Sequence, residues 1–202
     1  MPGRVTVLLI RHGTTPRVGK GLTGWLPGHS LDEKGRKQAD DLAARLATAP
    51  LSAIYSSPLE RAAETAAPLA RRLGLEVQTR EDFGEVRFGE WQGRDFSEIE
   101  RDSRWNPFNS YRSFTRAPGG ELMLETQARM VRGLLNLVDT HTNEMVAVFS
   151  HADAIKGALM HFLGIPLDFH VRLEIVPASV SVLDLFPELP LVRVINSTHF
   201  NA

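Results

Sequence analysis

Two kinds of apolar pattern alternate along the chain, and their order predicts the architecture. Residues 5–10, Val5-Thr6-Val7-Leu8-Leu9-Ile10, form a nearly continuous apolar run rich in β-branched side chains, as expected of a strand covered on both faces. A polar, glycine-rich stretch follows to about Ser30. Ser30 and Glu33 then fit a capping box that opens a helix, with Ala39, Leu42, Ala43 and Leu46 on one face. Residues 53–56 read as a short strand. Pro58 fits the first turn of a second helix that buries Ala62, Ala66, Leu69 and Leu73. Residues 75–79 read as a third strand. From 81 to 120 the periodicity fails and aromatic residues accumulate, with one short helix expected near 95–101. A long helix over 122–139 turns Met130, Leu134, Leu137 and Val138 inward. Residues 145–149 are again a buried strand, 152–163 a helix stopped by Gly164, and the tail holds three strands at 171–176, 179–186 and 191–196. Strands alternating with helices, followed by strands alone, predict an α/β fold. It is a three-layer α/β/α sandwich whose central sheet is mainly parallel with antiparallel additions.

The length of 202 residues suits one domain spanning 1–202, with about 85–120 forming a cover over the carboxyl ends of the strands. The 23 Lys and Arg nearly balance the 24 Asp and Glu, so no global basic excess points to nucleic acid. Any anion site must be a local cluster. The absence of cysteine removes thiolate zinc sites and every cysteine-nucleophile mechanism. No apolar run reaches the roughly 20 residues of a membrane helix. The first run stops at Arg11-His12 with no cleavage site after it, so a cytoplasmic location is expected.

Four segments carry candidate chemistry, because each ends a predicted strand or opens a helix, where ligands of open α/β sheets bind. Arg11-His12-Gly13-Thr14-Thr15 follows the first strand directly, and the glycine lets backbone approach a ligand. Ser56-Ser57-Pro58-Leu59-Glu60-Arg61 places a planar, permanently charged fork at a helix N-terminus, with Thr65 one turn on. Ser150-His151-Ala152-Asp153 repeats the pattern of a strand followed by a histidine. Taken singly, a strand-end histidine or a helix arginine is most simply an ordinary surface or capping residue; the repetition at 12 and 151 weakens that explanation. In Phe83-Gly84-Glu85-Val86-Arg87-Phe88-Gly89-Glu90-Trp91-Gln92-Gly93, Glu85 and Glu90 are rival acids on composition alone, and apolar neighbours would raise the pKa of either.

Together these residues resemble the histidine phosphatase (phosphoglycerate-mutase-like) superfamily, whose signature begins Arg-His-Gly. The resemblance also includes Leu22-Thr23-Gly24-Trp25, Ser30-Leu31-Asp32-Glu33-Lys34-Gly35, the Ser56–Arg61 block, Phe88-Gly89-Glu90-Trp91-Gln92-Gly93, Pro118-Gly119-Gly120-Glu121 and Ser150-His151, in the family's order. It implies a phosphatase that hydrolyses small phosphomonoesters through a phosphohistidine on His12, without metal or other cofactor. Arg11, Arg61 and His151 would hold the phosphate, with Thr15, Thr23, Gly24 and Ala152 around it. Glu85 matches the family's proton donor, which the resemblance prefers to Glu90. Thr14, Val18 and Ala152 depart from residues common in the family at those places.

A phosphoglycerate mutase shares this chemistry, but the interval from Glu85 to Glu121 lacks the long insertion usual in mutases. A P-loop is excluded by spacing, since Gly13 and Gly19 are separated by five residues and Gly21 stands where Ser or Thr is needed. A two-histidine metal site would place a cation among arginines. A binding module that keeps the fold without turnover is the non-enzymatic alternative. The expected partner is a small phosphorylated molecule rather than nucleic acid or membrane, and the apolar tail strands leave a homodimer edge open. Arg87, Arg101, Arg104, Arg112 and Arg116 in the cover are either solvated or, in part, ligands for a second acidic group on the substrate.

Overall fold

The structure is a computed structural model that describes residues 3–186 and 189–201; Met1, Pro2 and Ala202, at the ends of the expected 1–202 domain, and Pro187 and Glu188 lie outside the described residues. Strands β1 (Val5–Arg11), β2 (Leu51–Ser56), β3 (Val77–Thr79), β4 (Met145–Ser150), β5 (Val180–Leu185) and β6 (Leu191–Ser197) make a six-stranded sheet in the order β3-β2-β4-β1-β5-β6. The first four are mutually parallel, and β5 and β6 add antiparallel strands at one side. The helices are α1 (Glu33–Arg45), α2 (Glu60–Leu73), α3 (Phe96–Ile99), α4 (Trp105–Ser110), α5 (Met123–Thr140) and α6 (Ala152–Leu163).

The period-2 pleat divides the apolar strand residues between two cores. Leu8, Ile10, Ile54 and Phe149 pack with Leu42 of α1, with Leu46 just past its end and with Leu69 of α2. Val7, Leu9, Tyr55 and Val148 pack with Leu134 of α5 and Ile155 of α6. Helices therefore cover both faces, which is why β1 and β4 read as continuous apolar runs. A third cluster, built on Val86, Phe88, Trp91, Ile99 and Phe108, gives residues 86–108 a core of their own.

For the site, the decisive feature is register. β1 and β4 are parallel neighbours at the centre of the sheet, with Arg11 beside Ser150. The residues that follow them, His12 and His151, must leave the sheet side by side at its carboxyl edge.

Several expected elements differ. The capping residue of α1 is Asp32 rather than Ser30: its Oδ1 accepts from Gly35 N–H at 2.6 Å and from the Thr14 hydroxyl at 2.7 Å. Helix α2 starts at Glu60, two residues after Pro58. Strand β3 begins at Val77, not 75, because Leu75 N–H is spent on Ala70 O where the left-handed Gly74 closes α2. Residues 171–176 are not a strand. A 3₁₀ turn covers Leu167–Arg172, and the following main chain bonds side chains instead of a ladder: Ile175 O accepts from Arg11, and Val176 N–H donates to Asn196. The 81–120 segment holds two helices, α3 and α4, and 3₁₀ turns at Glu81–Phe83 and Gly89–Trp91, where one helix was expected.

Gly35 lies where α1 meets the loop after β1. A Cβ there would stand 2.1 Å from the Thr14 carbonyl oxygen, and backbone cannot give way as a flexible side chain can. Gly35→Ala should therefore cost roughly 1–3 kcal/mol as an overpacking change, seen as a melting temperature lower by several degrees. Unchanged melting would show that this loop is free to move.

Candidate active site

His12 is buried at the end of β1. Its Nδ1–H donates to Gly13 O at 2.7 Å, which fixes the tautomer and leaves Nε2 as the unprotonated nitrogen. Burial, reinforced by the charges of Arg61 and Arg11, holds the ring's pKa well below the usual histidine range, so it is neutral at physiological pH. The loop is tied down on both sides: His12 N–H donates to Ser150 O at 3.0 Å, and Gly13 N–H to Thr65 Oγ1 of α2 at 3.0 Å.

Arg61, at the start of α2, is buried and donates through Nη2 to Gly24 O at 2.9 Å, while Nη1 is buried with no hydrogen-bond partner. Arg11 donates through Nη1 to Ile175 O at 2.6 Å, and its buried Nε has none. His151 is fully enclosed, its ring centroid 5.1 Å from that of His12. Its Nε2 lies 2.8 Å from Ser57 Oγ. Ser57 Oγ accepts from Leu59 N–H, so its own hydrogen is available to Nε2, and the ring proton then belongs on Nδ1, another buried atom without a partner. Three nitrogen donors around one imidazole thus lack acceptors, the arrangement an anion completes.

Glu85 stands across from them, its Oε2 3.9 Å from His151 Nδ1. Burial, aided by the like charge of Asp153 and opposed by Arg61 and Arg11, pushes its carboxyl up to about 7. Its main chain is held by Arg129 of α5, whose guanidinium donates to Gly84 O at 2.8 Å and Glu85 O at 2.6 Å while pairing with Glu121 at 3.1 Å. Trp25 Nε1–H also donates to Glu85 O. Glu90, the rival acid, is exposed and pairs with Arg104 at 3.1 Å.

A cavity of about 270 Å³ opens onto this group. Arg11, His12, Arg61, Glu85, Thr15, Thr23, Gly24 and Ala152 all line it; His151 does not, but its ring centroid is 5.1 Å from that of His12. Thr14 does not line it: its hydroxyl and amide go to Asp32 and Gln38 of the α1 region. Val18 does line it. Sequence reasoning missed the part played by Asn109 and Asp153 in the wall, Ser57 behind His151, and Arg129 behind Glu85. Among the described residues no group of three or more His, Asp or Glu side chains is placed to hold a metal ion, and no helix is long and apolar enough to cross a membrane.

Residues 7–198 match the family model for the histidine phosphatase superfamily (branch 1). Phosphoserine phosphatase 1 of Hydrogenobacter thermophilus is 30% identical, covering 96% of this chain and 93% of that protein. The 2,3-bisphosphoglycerate-dependent phosphoglycerate mutase of Thermoplasma acidophilum is 29% identical, covering 88% and 86%. The solved structure of Bacillus stearothermophilus YhfR superposes with a TM-score of 0.90 at 28% identity, covering 97% of this chain and all of that one. The chain spans about half, 54%, of the length of the curated mycobacterial relatives it matches at 32% identity.

The raised Glu85 pKa has a consequence for stability. The unfolded chain ionises this carboxyl near its ordinary 4.5, whereas the folded protein holds its proton up to about 7. Stability from this group is therefore full below 4.5 and falls as pH rises towards 7. Between those limits the melting temperature of wild type should decline relative to that of Glu85→Gln. Parallel curves for the two proteins would show that Glu85 titrates normally.

Proposed function

The chain belongs to the histidine phosphatase superfamily (branch 1), and from that premise we propose that it is a metal-independent phosphatase that hydrolyses small phosphomonoesters through a phosphohistidine on His12. The observation that carries this reading is the hydrogen bond from His12 Nδ1 to Gly13 O, which turns a neutral Nε2 towards a cavity walled by Arg11 and Arg61. A neutral imidazole with one nitrogen fixed as donor is a competent nucleophile.

In the first half-reaction Nε2 of His12 attacks phosphorus, a P–N bond forms, and the ester P–O bond breaks. Phosphoryl transfer spreads charge over three equatorial oxygens, so fixed cationic donors do most of the work. Arg11 and Arg61 line the cavity as such donors, and the reading adds His151 Nδ1–H, unpartnered beside His12. The leaving alkoxide takes its proton from Glu85, whose pKa near 7 keeps a large fraction protonated at neutral pH. In the second half-reaction the resulting carboxylate takes a proton from water as that water attacks phosphorus; the P–N bond breaks and inorganic phosphate leaves. Hydrolysis is favoured over mutase chemistry because the 85–121 interval holds only short helices and turns.

The first experiment is p-nitrophenyl phosphate hydrolysis in EDTA by wild type and His12→Ala, with rapid acid quench. Turnover by wild type alone, with acid-labile label on wild type alone, is the expected result. Metal-dependent turnover, or turnover that survives in His12→Ala, would overturn the proposal. Absence of aryl turnover in a folded protein would favour a mutase or a binding module.

Arg129 provides a separate test of the proton donor. Arg129→Met releases the main chain of Glu85 without touching the phosphate donors. It should lower kcat for an alkyl phosphate by about tenfold or more, yet leave 2,4-dinitrophenyl phosphate, whose leaving group needs no proton, within about twofold. Equal losses on both substrates would mean that Arg129 only stabilises the fold.

A further inference from the structure

Besides the groups around His12, the cavity is lined by Asn109, Arg112 and Asp153. Of the six arginines in the 85–120 segment, Arg112 alone lines the cavity. Arg87 pairs with Glu81 and Glu121, Arg104 with Asp102 and Glu90, and Arg116 with Glu125, while Arg94 and Arg101 line a separate surface depression. Arg112 is buried, and its orientation is fixed. The guanidinium lies 4.1 Å from the Phe108 ring centroid, Nη2 donates to Asn109 Oδ1 at 2.8 Å, and Nη1 reaches Asp153 Oδ2 only at 3.4 Å.

Among the described residues the Asp153 side chain, in the first turn of α6, makes no other hydrogen bond. Its Oδ1 is 3.7 Å from His170 Nε2 and 4.0 Å from Lys156 Nζ, both beyond hydrogen-bond distance. His170, Arg112 and Lys156 hold it ionised against the effect of burial. Burial pushes His170 itself down to about 4, so at neutral pH the compensating charge comes from Arg112 and Lys156. The wall therefore presents a carboxylate with unused lone pairs beside a guanidinium whose charge that carboxylate already offsets.

These charges discriminate among phosphomonoesters. A second carboxylate on the substrate would approach Arg112 against the charge of Asp153. An ammonium group would approach Asp153 against Arg112 and Lys156. A neutral hydroxyl suits both partners, donating to Asp153 and accepting from Arg112. Val18, Leu22, Phe96 and Trp105 give the same cavity apolar lining. Such a surface fits the C–H face of a sugar ring or polyol chain.

We propose that the Arg112–Asp153 pair reads a neutral hydroxyl group, and that the substrates are sugar or polyol phosphates rather than phosphorylated carboxylic or amino acids. The inference rests on the phosphate pocket proposed above and adds to it the identity of the alcohol.

The test is calorimetric binding at pH 7 to His12→Ala, which removes turnover, using glucose 6-phosphate, glycerate 3-phosphate, O-phosphoserine and phenyl phosphate. Glucose 6-phosphate should bind about tenfold tighter than glycerate 3-phosphate or phosphoserine, the effect of one well-made hydrogen bond to a charged group. Adding Asp153→Asn, an isosteric change, should tighten glycerate 3-phosphate and weaken glucose 6-phosphate, closing or reversing that gap. Phenyl phosphate, with no polar group for the Arg112–Asp153 pair, should bind to both variants and so report that the pocket is intact. Equal or tighter binding of glycerate 3-phosphate or phosphoserine to His12→Ala would overturn the inference, as would a glucose-to-glycerate ratio that Asp153→Asn leaves unchanged. If phenyl phosphate fails to bind either folded variant, the phosphate pocket itself has been misread and the inference falls with it.

Discussion

Two guanidinium groups held largely out of water beside one imidazole are the constraint on which the rest of this site depends. Charged groups are costly to bury without partners. Here Arg11 and Arg61 each receive one main-chain carbonyl, from Ile175 and Gly24. Both carbonyls come from irregular segments, and this explains why those segments are irregular. Residues 173–176 have an apolar pattern that would pass for a strand, yet one of their carbonyls is directed at Arg11. Gly24 adopts a φ of +57°, and a Cβ there would meet Gln92 Oε1 at 2.3 Å, so only glycine can deliver its carbonyl to Arg61 with the loop packed this closely.

The same positive field sorts the titratable groups. It keeps His12 and His151 neutral in concert with burial, so neither adds to the charge that a phosphate must meet. It acts unequally on the two cavity carboxylates. Asp153 has Arg112 and Lys156 close by and remains ionised. For Glu85, burial and the like charge of Asp153 outweigh Arg61 and Arg11, so it retains its proton to about 7. Two carboxylates in one cavity thus take different protonation states because of their neighbours, the general way in which one pocket comes to hold both an acid and a fixed charge. Asp153 thus both lines the cavity and raises the proton affinity of Glu85.

What the sequence made legible follows from which interactions are local. Long apolar runs located β1 and β4, and strand-end position then marked His12 and His151, since register alone makes them neighbours. The cluster at Arg61 was legible as a helix start. The choice between Glu85 and Glu90 was not legible from composition, because both lie among aromatics; they are separated by Arg129 and Trp25, which hold one main chain, and Arg104, which takes the other side chain into solvent. The arginines of the 85–120 segment were equally indistinguishable, since their partners Glu81, Glu121, Glu125 and Asp153 are set by tertiary packing. Helix α4 went unseen because it is short, contains Pro107 and buries only Phe108 completely, so it carries no periodicity to detect.

The departures from the family pattern at Thr14 and Val18 separate on the same grounds. Thr14 faces away from the cavity, with its hydroxyl on Asp32 and its amide on Gln38, so it joins the His12 loop to the start of α1. With Gly35 packed against its carbonyl, it forms part of the scaffold that sets where His12 stands. Val18 lies on the cavity wall, where it offers no hydrogen bond to a ligand. A phosphate bound as proposed would then draw its donors from Arg11, Arg61 and His151, while Val18 adds to the apolar lining of Leu22, Phe96 and Trp105. On this geometry a substitution that removes a polar group from the cavity adds apolar surface to it, and the selectivity proposed for the Arg112–Asp153 pair gains in weight.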